Sequence, residues 1–216
     1  MIYRREIDGL RALAVIPVIL FHAGINNFEG GYVGVDVFFV ISGYLIAALI
    51  ISKKTDGNFS LLDFYERRAR RILPALFVVM FFCIPPAYFL MLPNQLEDFS
   101  ESLIAVSLFL SNILFWTESS YFAAAAELKP LLHTWSLAVE EQFYVFFPLF
   151  ILIFWRFGKL TLFFIISFLV LLGLGSSEFF SSRSPVANFY LTPMRSWELL
   201  TGSLLAIYLQ KYNHLV

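Results

Sequence analysis

Four groups of residues have the types and spacing that chemistry needs. The first is Arg11 and His22. At 3.6 residues per turn their separation is close to three whole turns of helix, so they share a face roughly 16 Å apart. Asp8 lies one turn before Arg11 on nearly the same stripe. Ionisable side chains within a membrane span are costly and face the protein interior, which makes them functional candidates by default. His22 could handle a proton at membrane depth while Arg11 holds an anion or an acidic partner. The plainer alternative is an arginine that snorkels to the interface beside a hydrogen-bonded structural histidine.

The second group runs from Gly30-Gly31 through Gly34, Asp36 and Phe38-Phe39 to Ser42-Gly43. Asp36 sits just inside an apolar run, where a carboxylate needs a reason. It either caps a helix or pairs with a base such as His22. Gly34, Ser42 and Gly43 fit equally well with helix packing through small residues. The third group is Glu66-Arg67-Arg68-Ala69-Arg70-Arg71-Ile72-Leu73-Pro74. Arg68 and Arg71 are i,i+3 neighbours on one helix face, as are Arg67 and Arg70. Paired guanidiniums have a fork geometry that suits phosphate, so a site for a phosphorylated donor fits. A positive anchor against anionic lipid fits too.

The fourth group extends from Lys129 to Tyr144. His133, Ser136, Glu140 and Tyr144 recur at helical spacing and line one face. A carboxylate here could orient a histidine or bind a sugar hydroxyl. Trp135 and Tyr144 would also suit an interfacial aromatic belt. Two adjacent carboxylates, Glu140 and Glu141, entering a membrane exceed what a belt requires.

The elements that position these groups must be membrane helices. Apolar residues make up 59% of the 216, and charged residues only 14%, where a soluble domain carries about 25%. Mean hydropathy is +0.77. The 26 Phe and 10 Tyr are side chains that hydrocarbon solvates and water does not. A spanning helix needs about 20 mostly apolar residues, and candidates fall at about 9–25, 33–51, 73–92, 101–117, 137–155, 160–175 and 196–210. The expectation is an all-α, polytopic transmembrane helical bundle of six or seven spans in one membrane domain, 1–216. Residues 62–71 read as a short amphipathic surface helix ending at Pro74, and Pro85-Pro86 as a break in the third span. Ala123–Ala126 is too brief a run to carry meaning.

Lys and Arg in short loops set orientation. Arg4 and Arg5 precede the first span, and Lys53, Lys54, Arg67, Arg68, Arg70 and Arg71 lie between the second and third. That places the N-terminus in the cytoplasm and residues 26–32 outside. If 101–117 crosses fully, Arg156 and Lys159 fall outside, against the trend. If it is re-entrant or interfacial they fall inside and 118–135 faces outside, and the charge bias favours this second topology. The start of the chain mimics a signal peptide, but Asp8, Arg11 and His22 interrupt its apolar stretch, so a retained first span is expected. Net charge is -1, without the basic excess of a nucleic-acid binder. Cys83, the single cysteine, reads as a small packed hydrophobe, and no Cys/His cluster has the spacing of a metal site.

Taken in order, Arg11-x10-His22, Phe38-Phe39-x-x-Ser42-Gly43, Arg68-x-x-Arg71-Ile72-x-Pro74 and His133-Thr-Trp-Ser-Leu-x-x-Glu-Glu-Gln-Phe-Tyr144 resemble the acyltransferase-3 family. The likeness is greatest to bacterial O-acetyltransferases that modify surface polysaccharides such as O-antigen, and it runs from about Ile7 to the end. The resemblance implies a domain of about ten spans in the bacterial inner membrane. It implies transfer of an acyl group, commonly acetyl, from cytoplasmic acyl-CoA to a hydroxyl of an extracytoplasmic glycan or lipid-linked glycan. Carried over, His22 is the catalytic histidine with Arg11 its partner, Arg68 and Arg71 hold the CoA phosphates, and Glu140 or Glu141 belongs to the site. Asp36, His133, Trp135 and Ser136 are further candidates. His22 could deprotonate the acceptor hydroxyl or first accept the acyl group itself.

The chain is shorter than the domain it resembles, so a C-terminally incomplete domain is expected. Two other function classes fit the composition: a carrier or flippase-like protein for a lipid-linked glycan, and an inactive truncated relative that serves as a binding module. Acetyl-CoA dependence and sensitivity to His22 substitution separate the enzyme from both.

Overall fold

The computed structural model describes residues 5–119 and 128–212, with side chains up to residue 210. Ala123–Ala126 lies outside these. Regular structure among the described residues is helical. α1 (Arg5–His22) is followed by short 3-10 turns at Asn26–Phe28 and Gly31–Val33, then α2 (Gly34–Thr55) and α3 (Leu61–Leu90). α4 (Pro93–Ser107) and α5 (Ser111–Thr117) precede α6 (Thr134–Phe154), which a 3-10 turn, Trp155–Phe157, joins to α7 (Lys159–Arg183). α8 (Pro185–Tyr190) and α9 (Thr192–Tyr212) complete the order.

Four stretches are long and apolar enough to cross a membrane: Gly31–Thr55, Leu61–Leu90, Thr134–Phe157 and Lys159–Arg183. α1 and α9 are helices, as expected, but they carry charge inside: Glu6, Asp8 and Arg11 in α1, Arg195 and Glu198 in α9. α9 is sheltered, packing mainly against α2 and α7. Phe81, Phe82, Phe89 and Leu90 on α3 and Phe164, Phe168 and Leu171 on α7 are exposed, the surface that hydrocarbon covers in a spanning bundle.

The expected helix breaks at the prolines fail for a physical reason. The helix begun at Leu61 does not stop at Pro74. It runs unbroken to Leu90 with Pro74, Pro85 and Pro86 inside it. A proline removes one intrahelical hydrogen bond, but in a membrane helix the loss is repaired locally, whereas a break would leave several backbone groups without partners. The segment 101–117, for which charge bias favours a re-entrant or interfacial course over a full crossing, is not a single helix. It is divided between α4 and α5 at Phe109, whose φ of 55° lies in the left-handed region. Gln142 on α6 fixes that break by donating Nε2–H to the Phe109 carbonyl at 2.9 Å.

Small residues let the central helices touch. A Cβ on Gly43 would stand 1.9 Å from the Leu199 carbonyl oxygen, and one on Gly202 would stand 1.9 Å from that of Val40. Ser203 donates to the Gly43 carbonyl at 3.1 Å and Gln210 to that of Ala48 at 3.1 Å. From Gly43–Ser203 to Ala48–Gln210 the hydrogen bonds rise together along both helices, so α2 and α9 run parallel. Phe39 against Trp135 and Ser42 acting on Glu140 make α6 parallel to them too. α1 is antiparallel, with Gly31 close to the Pro17 carbonyl and Gly34 to that of Ala14. Phe39, Ile46, Ile50, Phe147, Ile151, Ile166 and Leu199 fill the core between α2, α6, α7 and α9.

Parallel α2 and α6 end together. Lys53 and Lys54 therefore share one end of the bundle with Arg156 and Lys159, beside the start of α3 with its arginines. His22 and the first turns of α2, α6 and α9 form the other end.

Candidate functional site

His22 is the last residue of α1 and is exposed at the bundle end. A carbonyl only accepts, so the 2.8 Å contact of Nδ1 with the Val18 carbonyl is an Nδ1–H donor bond. That fixes the tautomer and leaves the Nε2 lone pair outward. His133 immediately precedes α6. His133 is exposed and close enough to His22 for a charge on one to act on the other. Desolvation by the protein around it is the largest influence on its pKa and lowers it, the Pro130 carbonyl opposes that shift, and His22 adds to it. Ser136 donates to the His133 carbonyl at 3.3 Å.

Deeper in the bundle, α1, α2, α3 and α6 converge on a second polar group. Glu140 is 7% exposed whereas Glu141 is half-buried, so Glu140 is the inward carboxylate. The charges acting on it are those of Glu141, Arg68 and Arg11, and the Ser42 hydroxyl acts on both Glu140 and Tyr144. The Arg68 guanidinium lies over the Tyr144 ring at 4.3 Å, and Arg11 lies 5.8 Å from the Phe38 ring. Arg11 Nε, Glu140 Oε1 and Glu141 Oε1 are buried without hydrogen-bond partners. The two levels are joined by antiparallel helices. α1 carries Arg11 deep and His22 at the end, and α6 carries Glu140 deep with His133 at the same end.

Some candidates are not brought together. Arg71 is exposed, as is Arg67, while Arg68 turns inward. Arg70 pairs instead with Glu66 at 2.6 Å on the surface. The arginine pair is therefore split between an interior position and an outer one. Asp36 neither caps α2 nor reaches His22. It bonds Arg195 on α9. Gly34 touches α1, and two residues further on the helix has turned about 200°, so Asp36 points to the far side of α2. Trp135 likewise faces away from Glu140. It packs on Phe39, Phe189 and Tyr190, at ring separations of 6.1, 4.5 and 5.6 Å.

Sequence reasoning missed Arg195 and Glu198. Arg195 Nη1 lies 3.0 Å from Glu198 Oε1, its guanidinium is ringed by Phe39, Trp135 and Phe189, and Glu198 is 1% exposed. The signal was present: two ionisable residues at i,i+3 where an apolar run begins. Also missed was an amide network in which Gln142 bonds Asn112 at 2.8 Å and accepts from Thr192. Asn112 in turn donates to the Tyr190 carbonyl at 3.1 Å. Nothing in a linear pattern pairs residues so far apart.

Comparison with known proteins gives one family. The family model for an acyltransferase domain, acyltransferase-3, matches residues 4–215. Peptidoglycan O-acetyltransferase OatA of Listeria monocytogenes is 36% identical over 211 residues, 94% of this chain and 34% of that protein. Putative peptidoglycan O-acetyltransferase YrhL of Bacillus subtilis is 37% identical over 212 residues, 95% of this chain and 33% of that protein. O-acetyltransferase OatA of Staphylococcus aureus is 37% identical over 210 residues, 94% of this chain and 34% of that protein. The chain thus spans about a third of the length of these curated relatives. No solved structure matches it.

Proposed function

The chain belongs to the acyltransferase-3 family, and from that premise we propose that it carries the acyl-transfer site of a membrane-bound O-acetyltransferase of a cell-wall glycan. The names of its relatives weight the acceptor toward peptidoglycan rather than the O-antigen type of glycan. The donor is an acyl-CoA, acetyl-CoA in the simplest case. The basic end of the bundle is cytoplasmic, the His22 end extracytoplasmic, and the membrane is the bacterial plasma membrane.

The observation that carries this reading is the paired arrangement on α1 and α6. An outward imidazole sits at one end, and a charged interior with Arg68, Arg11 and Glu140 lies beneath it. Donor and acceptor that occupy opposite sides of a membrane need such a path. Arg71 at the basic end meets the CoA phosphates first, and Arg68 holds the donor deeper, where Tyr144 orients the guanidinium. Arg11 and Glu140 act on each other electrostatically within the bundle, which favours one register of α1 against α6. That register places His22 where the thioester and the acceptor hydroxyl meet. Its Nε2 removes the hydroxyl proton or takes the acyl group itself.

The test is acetyl transfer from labelled acetyl-CoA to cell-wall glycan in membranes that contain the protein. His22→Ala should lower transfer by about 100-fold or more, the range of a lost acid–base group, with the protein still present at wild-type level. Retained transfer would refute the assignment. A carrier would move glycan without acetyl-CoA, and an inactive relative would ignore the substitution.

A further inference from the structure

The first turns of α2, α6 and α9 hold a second polar cluster, on the side of α2 that faces away from α1. Arg195 donates to Asp36 across the α2–α9 contact. Phe39, Trp135 and Phe189 stand around its guanidinium at 5.6, 5.8 and 5.9 Å. One turn further along α9, Glu198 Oε1 lies 3.0 Å from Arg195 Nη1 as an ion pair. Both Glu198 carboxylate oxygens and Arg195 Nε are buried without hydrogen-bond partners, and buried polar groups left so call for an explanation. Helix pairing does not supply one. Gly43, Gly202, Ser203 and Gln210 already join α2 to α9, and a buried ion pair is no more stabilising than well-packed apolar side chains.

The cluster is open on one side. The Asp36 side chain is 36% exposed and that of Arg195 14%, so the carboxylate faces out and the guanidinium holds it from behind. Beside it Phe189, on α8, is exposed. Trp135 and Tyr190 brace the Phe189 ring at 4.5 and 4.9 Å, and Asn112 holds the Tyr190 carbonyl at 3.1 Å. A fixed carboxylate next to a braced aromatic ring suits a sugar. Hydroxyls donate to the carboxylate, and the C–H face of the sugar packs on the negative face of the ring.

We infer that Asp36 and Phe189 form a subsite for a second sugar ring of the acceptor glycan, with Arg195 and Trp135 as the residues that position them. The inference rests on the O-acetyltransferase reading and extends it to the choice of acceptor. The cluster lies at the same end of the bundle as His22, with α2 between them: Gly34 meets α1, and Asp36 looks to the far side. Packed helix axes stand about 8–10 Å apart, so the subsite is about one helix width from the acyl-transfer point. The sugar that receives the acyl group does not fill it, and a neighbour in the same glycan chain does.

The experiment compares two acceptors, a soluble disaccharide fragment of cell-wall glycan and a longer soluble strand of the same glycan. Labelled acetyl-CoA is supplied to the protein in membranes opened to both sides. Wild type should show a KM for the longer strand about 10-fold or more below that for the disaccharide. Asp36→Asn and Phe189→Ala should each raise the KM for the longer strand by about 10-fold and so close that gap. The KM for the disaccharide, the KM for acetyl-CoA and kcat should stay within about twofold. Phe189→Trp, which restores an aromatic face, should recover the preference for the longer strand. Phe189 is exposed, so its variants keep the test decisive where Asp36→Asn fails to fold. Equal KM values for the two acceptors in wild type overturn the inference. So does an unchanged KM for the longer strand in Phe189→Ala, or a rise shared equally by both acceptors, the mark of a packing defect. If wild type transfers no label to either acceptor, the O-acetyltransferase reading falls and takes the inference with it.

Discussion

At the scale of single residues, burial ranks side chains that spacing left equal. Glu140 and Glu141 are neighbours in sequence and Arg68 acts on both, but only Glu140 is buried and also acted on by Ser42 and Arg11. Glu140→Gln should therefore reduce acetyl transfer by about 10-fold or more, since it leaves Arg11 and Arg68 in the interior with a neutral partner. Glu141→Gln should cost less, and equal losses in a transfer assay would deny that ranking. His133 supports a prediction about pH. Folding lowers its pKa, so the unfolded chain binds the extra proton as pH falls below about 6.5. Stability drops there, and above that pH, with both states neutral, the group contributes nothing. Thermal melts in detergent between pH 8 and 5 should fall less steeply for His133→Gln than for wild type.

At the scale of elements, backbone contact between helices sets what the sequence tolerates. The α2–α9 crossing has no room for a side chain at Gly43 or Gly202, because the nearest atoms are backbone carbonyls that cannot rotate away. Gly43→Ala should destabilise the fold by about 1–3 kcal/mol, the usual penalty of overpacking. Gly175, where an added Cβ meets nothing within 4 Å, should accept Ala with little change. A lower melting temperature for Gly43→Ala than for Gly175→Ala is the expected result. The same logic applies to Gln142, whose amide bonds both the Phe109 carbonyl and Asn112. Gln142→Leu strands those groups, and each buried orphan costs about 1–3 kcal/mol. The melting temperature should drop by several degrees, and α4 and α5 should become more open to proteolysis.

At the scale of the whole molecule, helix direction decides the distribution of charge. α2, α6 and α9 run one way and α1, α3 and α7 the other, and this gathers the basic loops at one end. The division of 101–117 at Phe109 belongs to the same arrangement, because a continuous crossing there would have reversed α6 and sent Arg156 and Lys159 to the opposite end. Single cysteines in a Cys83→Ser background provide the check. Asp56→Cys and Lys159→Cys should react with an impermeant thiol reagent from one side of the membrane, and Asn27→Cys from the other. Labelling of 56 and 159 from opposite sides would contradict the parallel pairing of α2 with α6.

The sequence by itself determined the membrane setting, the helical class and the family, because composition and ordered motifs are properties of the chain before it folds. It also marked His22, Arg11 and Glu140, since charge in an apolar run is conspicuous at any tertiary arrangement, and Arg68 as a member of an arginine cluster. It misjudged Pro74 and Pro85-Pro86, because a local breaking tendency says nothing of the surroundings that make breaking worse. Only the tertiary structure chose Glu140 over Glu141, gave Asp36 to Arg195 instead of His22, and turned Arg68 inward while Arg71 stayed outside. Those choices depend on which helix lies against which face, and a rotation of α2 by about 200° separates the partner that spacing suggested from the one packing supplies.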